Sequence, residues 1–275
     1  MVADPSDTVH ARRFDFDPGG RSNALGGVRP DAREVREVFL GEVVGTAVLV
    51  LVGCGGGAGV LLARSKAKDA GWIVTSFGWG MGLLFGLLAS QRIEGSVAHL
   101  NPAVSIAFAV GGINGVGWAD IPTLVLGQFV GAIVGAALVW LAYLPHWAAT
   151  TDADAKRAVF ATGPQIRATV PNLVAEIIAT AVFVIGIIAV LASPGAAPLA
   201  FFFIGLLLFA ICIALGGPTG NAVNPARDLG PRLAYAFLPI AGSGDPDWRY
   251  AWIPVVGPIV GGVAAVLLLQ ALNVI

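Results

Sequence analysis

Charge is missing from most of this chain, and that limits the fold more than any motif does. Seven acidic and six basic residues precede Val38. Beyond that point come long windows with no Asp, Glu, Lys or Arg, such as the stretch from Ile121 to Leu144. Several of these windows exceed the roughly 18–20 apolar residues that carry a helix across a bilayer. Of the 275 residues, 56% are hydrophobic and only 12% are charged, whereas a soluble domain has about 25% charged residues. The chain is therefore expected to be an integral membrane protein with the lipid bilayer as its surroundings. A net charge of −1 points to neither a nucleic-acid partner nor an acidic one.

Two cysteines, Cys54 and Cys212, both fall in apolar runs. They are too few for a disulfide framework and read as small packing or lining residues. Residues 1–36 are rich in Asp, Arg, Gly and Pro and lack an apolar core. This segment is expected to be a flexible polar tail without a signal peptide.

Six long spans are predicted, at about 38–63, 71–90, 121–144, 173–192, 199–215 and 250–272. Two shorter apolar segments, at about 101–110 and 224–237, open on the same tripeptide. It stands once at Asn101-Pro102-Ala103 and again at Asn224-Pro225-Ala226. Ten helical residues rise about 15 Å, half a bilayer. A polar connection covers about 145–170. The order is long, long, short, long, and then the same again. Local matches support the repeat: GEVVGTAVLV from Gly41 with AEIIATAVFV from Ala175, LNPAV from Leu100 with VNPAR from Val223, and GQFVGAIVG from Gly127 with GPIVGGVAA from Gly257.

An odd number of spans in each half makes the second half enter from the opposite face. The expected fold is an all-α membrane protein of six transmembrane helices and two re-entrant half-helices, arranged as an inverted repeat. The channel domain covers about 37–275, with repeats at about 37–144 and 171–275. In such a repeat the functional site lies at the repeat interface near the midplane. The Arg residues of the tail outnumber Arg64, Lys66 and Lys68 beyond the first span, which places the tail in the cytoplasm.

Asn is a strong N-cap and Pro is favoured at the first helical position, so each tripeptide reads as a helix start. Half-helices entering from opposite faces would meet at their N-termini. Each terminus carries about +0.5 elementary charge, and together they repel cations and protons. With each Asn oxygen capping its own helix, the two NH₂ groups would point into a lumen and hold one neutral oxygen. Non-helical backbone at this depth must line a cavity or be buried in protein. Val97, Ala98 and His99, with Asn221, Ala222 and Val223, would then supply rows of carbonyl acceptors. Such a site suits water or a neutral hydroxylated solute rather than an ion.

Two acids, Glu42 and Glu176, occupy equivalent positions inside spans. They read either as a proton or ion relay or as structural acceptors for loop N–H groups. Their symmetry, with no other deep charge to continue a relay, favours the structural role. Arg227 reads either as a structural partner of Asp228 or as a lumen-facing guanidinium. The second is favoured because an Arg at this depth is costly unless it faces water. His99 reads as a packed or backbone-contributing loop residue, with pH gating as the other reading. No nucleophile–base pair and no metal-ligand spacing is present, so neither an enzyme nor a cofactor is expected.

Together these residues resemble the major intrinsic protein family, the aquaporins and aquaglyceroporins. The likeness covers about 38–272 and rests on both NPA boxes, Arg227 and the Glu42 and Glu176 pair. It implies six tilted helices, two half-helices, a pore in each protomer and a homotetramer. Three further marks, Asp228, Arg232 and Pro254-Val255, are similar to the bacterial glycerol-facilitator branch. The resemblance implies a constriction built from Trp79, Cys212, Asn221 and Arg227, where reaching Trp79 requires a two-residue insertion within 91–94. Glycerol facilitators usually have an aromatic residue where Asn221 stands. The departure implies a constriction at least as wide and more polar, open also to urea or larger polyols.

The expected function is a passive channel for glycerol and other small neutral solutes, with water, in the plasma or inner membrane, excluding ions and protons. A water-selective channel is the neighbouring alternative, against which stand Asp228 and the lack of His at Cys212. A proton-coupled secondary transporter is the alternative from another class, and it would have to use Glu42 or Glu176.

Overall fold

The computed structural model describes residues 32–275, which form ten α-helices and two single 3₁₀ turns with no strand among the described residues. The polar tail expected over 1–36 lies outside the described residues except for its last five. Those five begin α1 (Ala32–Leu61), so the first helix starts earlier than the expected span. Its added turn is exposed, and Arg33 pairs with Glu37 across one turn at 2.7 Å. Next come α2 (Trp72–Ser90), α3 (Pro102–Gly111) and α4 (Ile121–Ala142). The second half holds α7 (Thr169–Ala192), α8 (Ala200–Leu215), α9 (Pro225–Phe237) and α10 (Ile253–Ala271). Five of these helices, and α8 together with the 3₁₀ turn before it (Ala197–Leu215), are long and apolar enough to cross a membrane. The short α3 and α9 are the two that open on the repeated tripeptide.

The connection expected to be simply polar contains two more helices, α5 (Leu144–Ala149) and α6 (Ala153–Phe160). Asp152 starts α6 by accepting the amides of Asp154 and Ala155, at 2.8 and 3.1 Å. Lys156, Val159 and Phe160 make one buried stripe at helical spacing. The Lys156 ammonium donates to the carbonyls of Ala241 and Gly242, and Phe160 stacks on Trp147. Lys156 apart, the charged residues of this connection stay at the outer face of a cover packed on α1 and α9.

The two halves pack alike. In the first, α1 lies against α2 and α4; in the second, α7 lies against α8 and α10. The short helices cross over: α3 packs on α10 and α9 on α4. Each half therefore holds the other half's short helix. The closest approaches need glycine. A Cβ on Gly131 of α4 would run into the Val43 carbonyl of α1, and one on Gly261 of α10 into the Ile177 carbonyl of α7. Small residues at such crossings let apolar helices make full van der Waals contact in lipid, where burial supplies no driving force.

Candidate functional site

The two tripeptides meet. Asn101 caps α3 by accepting the Ala103 amide at 2.9 Å. Asn224 caps α9 by accepting the amides of Ala226 and Arg227, at 2.9 and 3.2 Å. Contrary to the expectation from sequence, neither NH₂ group is wholly free. Asn101 Nδ2 donates to the Val223 carbonyl at 3.0 Å, and Asn224 Nδ2 donates to the Leu100 carbonyl at 2.7 Å. Each Asn thus bonds the residue that precedes the other. The reason is distance: two caps this close bring each amide within reach of the opposite chain before it reaches a lumen. An amide carries two N–H groups, so this cross-link leaves one on each Asn, and both Asn side chains line one cavity.

The segments leading into the caps are matched as well. Glu42 accepts the amides of His99 and Leu100 at 2.8 and 2.7 Å, and Gln128 Nε2 at 2.9 Å. Glu176 accepts the amides of Ala222 and Val223, both at 3.0 Å. Both carboxylates are buried. In a trans peptide the carbonyl points opposite the N–H. The carbonyls of Ala98 and His99 therefore face away from Glu42, and those of Asn221 and Ala222 away from Glu176. The Val223 carbonyl, expected in this row, is the one that accepts from Asn101.

The backbone follows the same alternation in both halves. Ala98 and Leu100 have φ of 52° and 53°, and Asn221 and Val223 have 57° and 53°. A β-branched residue at such φ is a genuine outlier. Strain of about 1–3 kcal/mol per residue persists only where surrounding contacts over-determine it. Here the buried carboxylates and the crossed Asn amides do so.

The four positions expected to form a constriction lie together in the wall of one cavity. The Arg227 guanidinium lies over the Trp79 ring, 3.7 Å from its centroid, and its Nη1 donates to the Phe160 carbonyl at 3.5 Å. Asn221 Nδ2 approaches Cys212 Sγ at 3.0 Å. Trp72, which sequence reasoning passed over, donates its indole N–H to the Cys212 carbonyl at 2.8 Å. Cys54 is buried. His99 has its Nδ1 3.0 Å from Ser105 Oγ and packs edge-on to Phe108.

Asp228 does not pair with Arg227. Its carboxylate takes Arg232 Nε at 2.8 Å, with both groups fully buried, and accepts the Thr162 amide and hydroxyl. Arg232 donates onward to the carbonyls of Thr162, Pro246 and Asp247. At the surface Asp247 binds Arg167 through both oxygens. That hydrogen bonding raises the Arg167 pKa above its ordinary value.

The cavity beside Arg227 is narrow, with a volume of about 20 Å³. It shares Leu83, His99 and Phe183 with a wider one of about 560 Å³, which reaches Val97, Ala98, Gln91 and Asn114. The two cavities thus adjoin along these residues, with Arg227 and the crossed Asn pair in the wall of the first and the loop that precedes α3 in the wall of the second. Their walls combine fixed N–H donors, free carbonyls and apolar side chains. Among the described residues no group of His, Cys, Asp and Glu could hold a metal ion.

The description of the family "Major intrinsic protein" matches residues 31–269. The chain is 50% identical over 224 residues to the "Glycerol uptake facilitator protein" of Bacillus subtilis, covering 82% of this chain and 80% of that one. It is 47% identical to the "Probable glycerol uptake facilitator protein" of Thermotoga maritima, covering 82% of this chain and 95% of that one. Among solved structures it superimposes on the aquaglyceroporin from Plasmodium falciparum with a TM-score of 0.74 at 29% identity, covering 87% of this chain and 97% of that one.

Proposed function

Because the chain belongs to the major intrinsic protein family, we propose that its lumen passes glycerol and other small neutral solutes, with water, and excludes ions and protons. The chain is an integral membrane channel and not an enzyme. The observation that carries the reading is the crossed pair of bonds from Asn101 to Val223 and from Asn224 to Leu100. It brings two helix N-termini together at the cavity and leaves one N–H on each Asn. A neutral oxygen can accept both N–H groups. A cation meets two positive helix ends, and a proton cannot pass along an oxygen whose lone pairs are both taken.

Arg227, Trp79, Cys212 and Asn221 form the constriction in this reading. The free carbonyls of Ala98, His99 and Ala222 accept solute hydroxyls. Glu42, Glu176 and Asp228 hold the loops. The saturation of Glu42 and Glu176 by loop amides speaks against a proton-coupled transporter. The same proposal includes a homotetramer, testable by chemical cross-linking in membranes, and a cytoplasmic N-terminus, supported by the Arg-rich tail and testable by protease access.

Stopped-flow light scattering on proteoliposomes tests the function. Water and glycerol are expected to pass, with no ionic conductance and no collapse of a pH gradient. Passage of water with exclusion of every solute would overturn the reading in favour of a water-selective channel.

A further inference from the structure

The cavity of about 560 Å³ lies at the end of the molecule where α1 begins. Gln91 and Val97, which line it, flank Glu94 in the loop between α2 and α3. Glu94 accepts Arg33, in the first turn of α1, at 3.2 Å. Residues 1–31 are therefore joined to the structure at the rim of this cavity. They precede all but the start of the family match, which begins at residue 31, so the family does not supply a role for them.

The rim is apolar. Leu88, Leu199 and Phe202 line it and are 44%, 58% and 46% exposed. Deeper in the wall are Phe108 and Phe183, with Ala98 and His99, whose carbonyls face away from Glu42. The N-terminal sequence is complementary to such a wall. The run Arg12-Arg13-Phe14-Asp15-Phe16 sets two aromatic rings at alternate positions beside two guanidinium groups. In an extended chain alternate residues face the same side, which would lay both rings on the apolar wall. Arg offers donors and no acceptor, which matches bare carbonyls.

The connection is long enough. Residues 17–31 separate Phe16 from Ala32 and include Gly19, Gly20, Gly26 and Gly27. A Gly-rich chain of that length bridges about 20 Å on average. A segment tethered on that scale has an effective concentration in the millimolar range, so even a contact of millimolar affinity is formed about half of the time.

We propose that residues 12–16 dock in this cavity and occlude it, so that the N-terminal segment limits conduction through its own channel. The inference rests on the channel reading above and names a regulation of that channel.

The test measures glycerol permeability per reconstituted protein by stopped-flow light scattering. It compares the full chain, a variant lacking residues 2–30, and the full-length double variant Phe14→Ser with Phe16→Ser. Both variants are expected to exceed the full chain about two- to fivefold, the gain from emptying a site that is half to four-fifths filled. The full-length variant decides the matter if the truncated chain does not insert. A second measurement fixes the place. Phe16→Cys with Asn114→Cys puts one thiol in the segment and one in the cavity wall, while Cys54 and Cys212 are buried. Diamide, which takes up the two electrons and two protons, is expected to join the new thiols and lower permeability. Dithiothreitol is expected to restore it. Unchanged permeability in the variants overturns the proposal, and so does the absence of the cross-link. A gain seen only in vesicles rich in anionic lipid also overturns it, by assigning the Arg residues to the membrane surface. If neither the full chain nor any variant passes glycerol, it is the channel reading that fails, so the two failures are distinguishable.

Discussion

The Arg227 guanidinium carbon stands 3.7 Å from the centroid of the Trp79 ring. In the proposed constriction, this contact couples the charged wall to the apolar one. Trp79 can lie there because Gly53 of α1 has no side chain; a Cβ on Gly53 would overlap the indole. Trp79→Ala removes the ring, and with it the cation–π contact and a buried apolar wall. The expected cost is about 3–5 kcal/mol of stability. Permeability to ribitol or sorbitol is expected to rise several-fold relative to glycerol, because the guanidinium loses its backing. Stopped-flow measurement with a polyol series checks this. A polyol profile identical to the wild type would remove Trp79 from the constriction.

Glu42 and Glu176 are expected to act through hydrogen bonds rather than through proton transfer. Each carboxylate satisfies two adjacent loop amides, one per oxygen. Glu176→Gln replaces one accepting oxygen with a donor, so either the Ala222 or the Val223 N–H loses its partner. The expected loss is about 1.5–3 kcal/mol, the range for hydrogen bonds to charged groups. Glu42→Gln is expected to cost at least as much, because Gln128 also leans on that carboxylate. Glycerol uptake by either folded variant is expected to be the same with and without a proton gradient. Gradient-driven uptake in the wild type that vanishes in the Gln variants would restore the transporter alternative.

What could be read from the sequence depended on whether the signal was local. Apolar windows marked the six long helices, and Asn101-Pro102 and Asn224-Pro225 marked the starts of the two short ones, because capping acts within a few residues of the cap. The pairing of Glu42 with Glu176 followed from the repeat. Contacts between halves left no local trace. The crossing of Asn101 to Val223 depends on how α3 and α9 converge, and capping rules alone suggested free NH₂ groups. Helix α5 was hidden by its shortness and α6 by its polar face, although Asp152 followed by the stripe Lys156, Val159 and Phe160 is a readable start and core face. The pairing of Asp228 with Arg232 was legible in principle, and the favoured reading already turned Arg227 toward the lumen. One turn of helix separates Asp228 from Arg232 and brings their side chains together.

The glycines at the helix crossings predict a symmetric pair of defects. Gly131→Ala puts a methyl group into the Val43 carbonyl, and Gly261→Ala puts one into the Ile177 carbonyl. Backbone cannot rotate aside as a side chain can, so each substitution must separate its helices. Overpacking of this kind costs about 1–3 kcal/mol, and the two variants are expected to lose similar amounts. Unfolding in detergent, compared side by side, checks the equivalence. A large loss at one site with none at the other would show that the two halves do not share the load of close packing.

Asp228 and Arg232 predict a non-additive pair. Both are fully buried and bonded at 2.8 Å. Arg232 also ties the segment at Pro246 and Asp247 to α9, and Asp228 ties down Thr162. Removing one partner from a buried pair leaves an uncompensated charge and costs about 3–5 kcal/mol. Asp228→Asn is expected to show a loss of that size. Arg232→Met, which leaves a buried carboxylate, is expected to do the same. The double variant should be less destabilised than the sum of the two, because no unpaired charge remains, although the ties to Thr162 and Pro246 are weakened. A permeability effect should accompany the stability effect. Phe160, two residues before Thr162, accepts from Arg227, so loosening Thr162 also loosens the constriction. The polyol profile of Asp228→Asn is therefore expected to move in the same direction as that of Trp79→Ala, but less far. Additive stability losses across the cycle would mean that the pair is not acting as a unit. An unchanged polyol profile would mean that the Phe160 carbonyl does not hold the guanidinium.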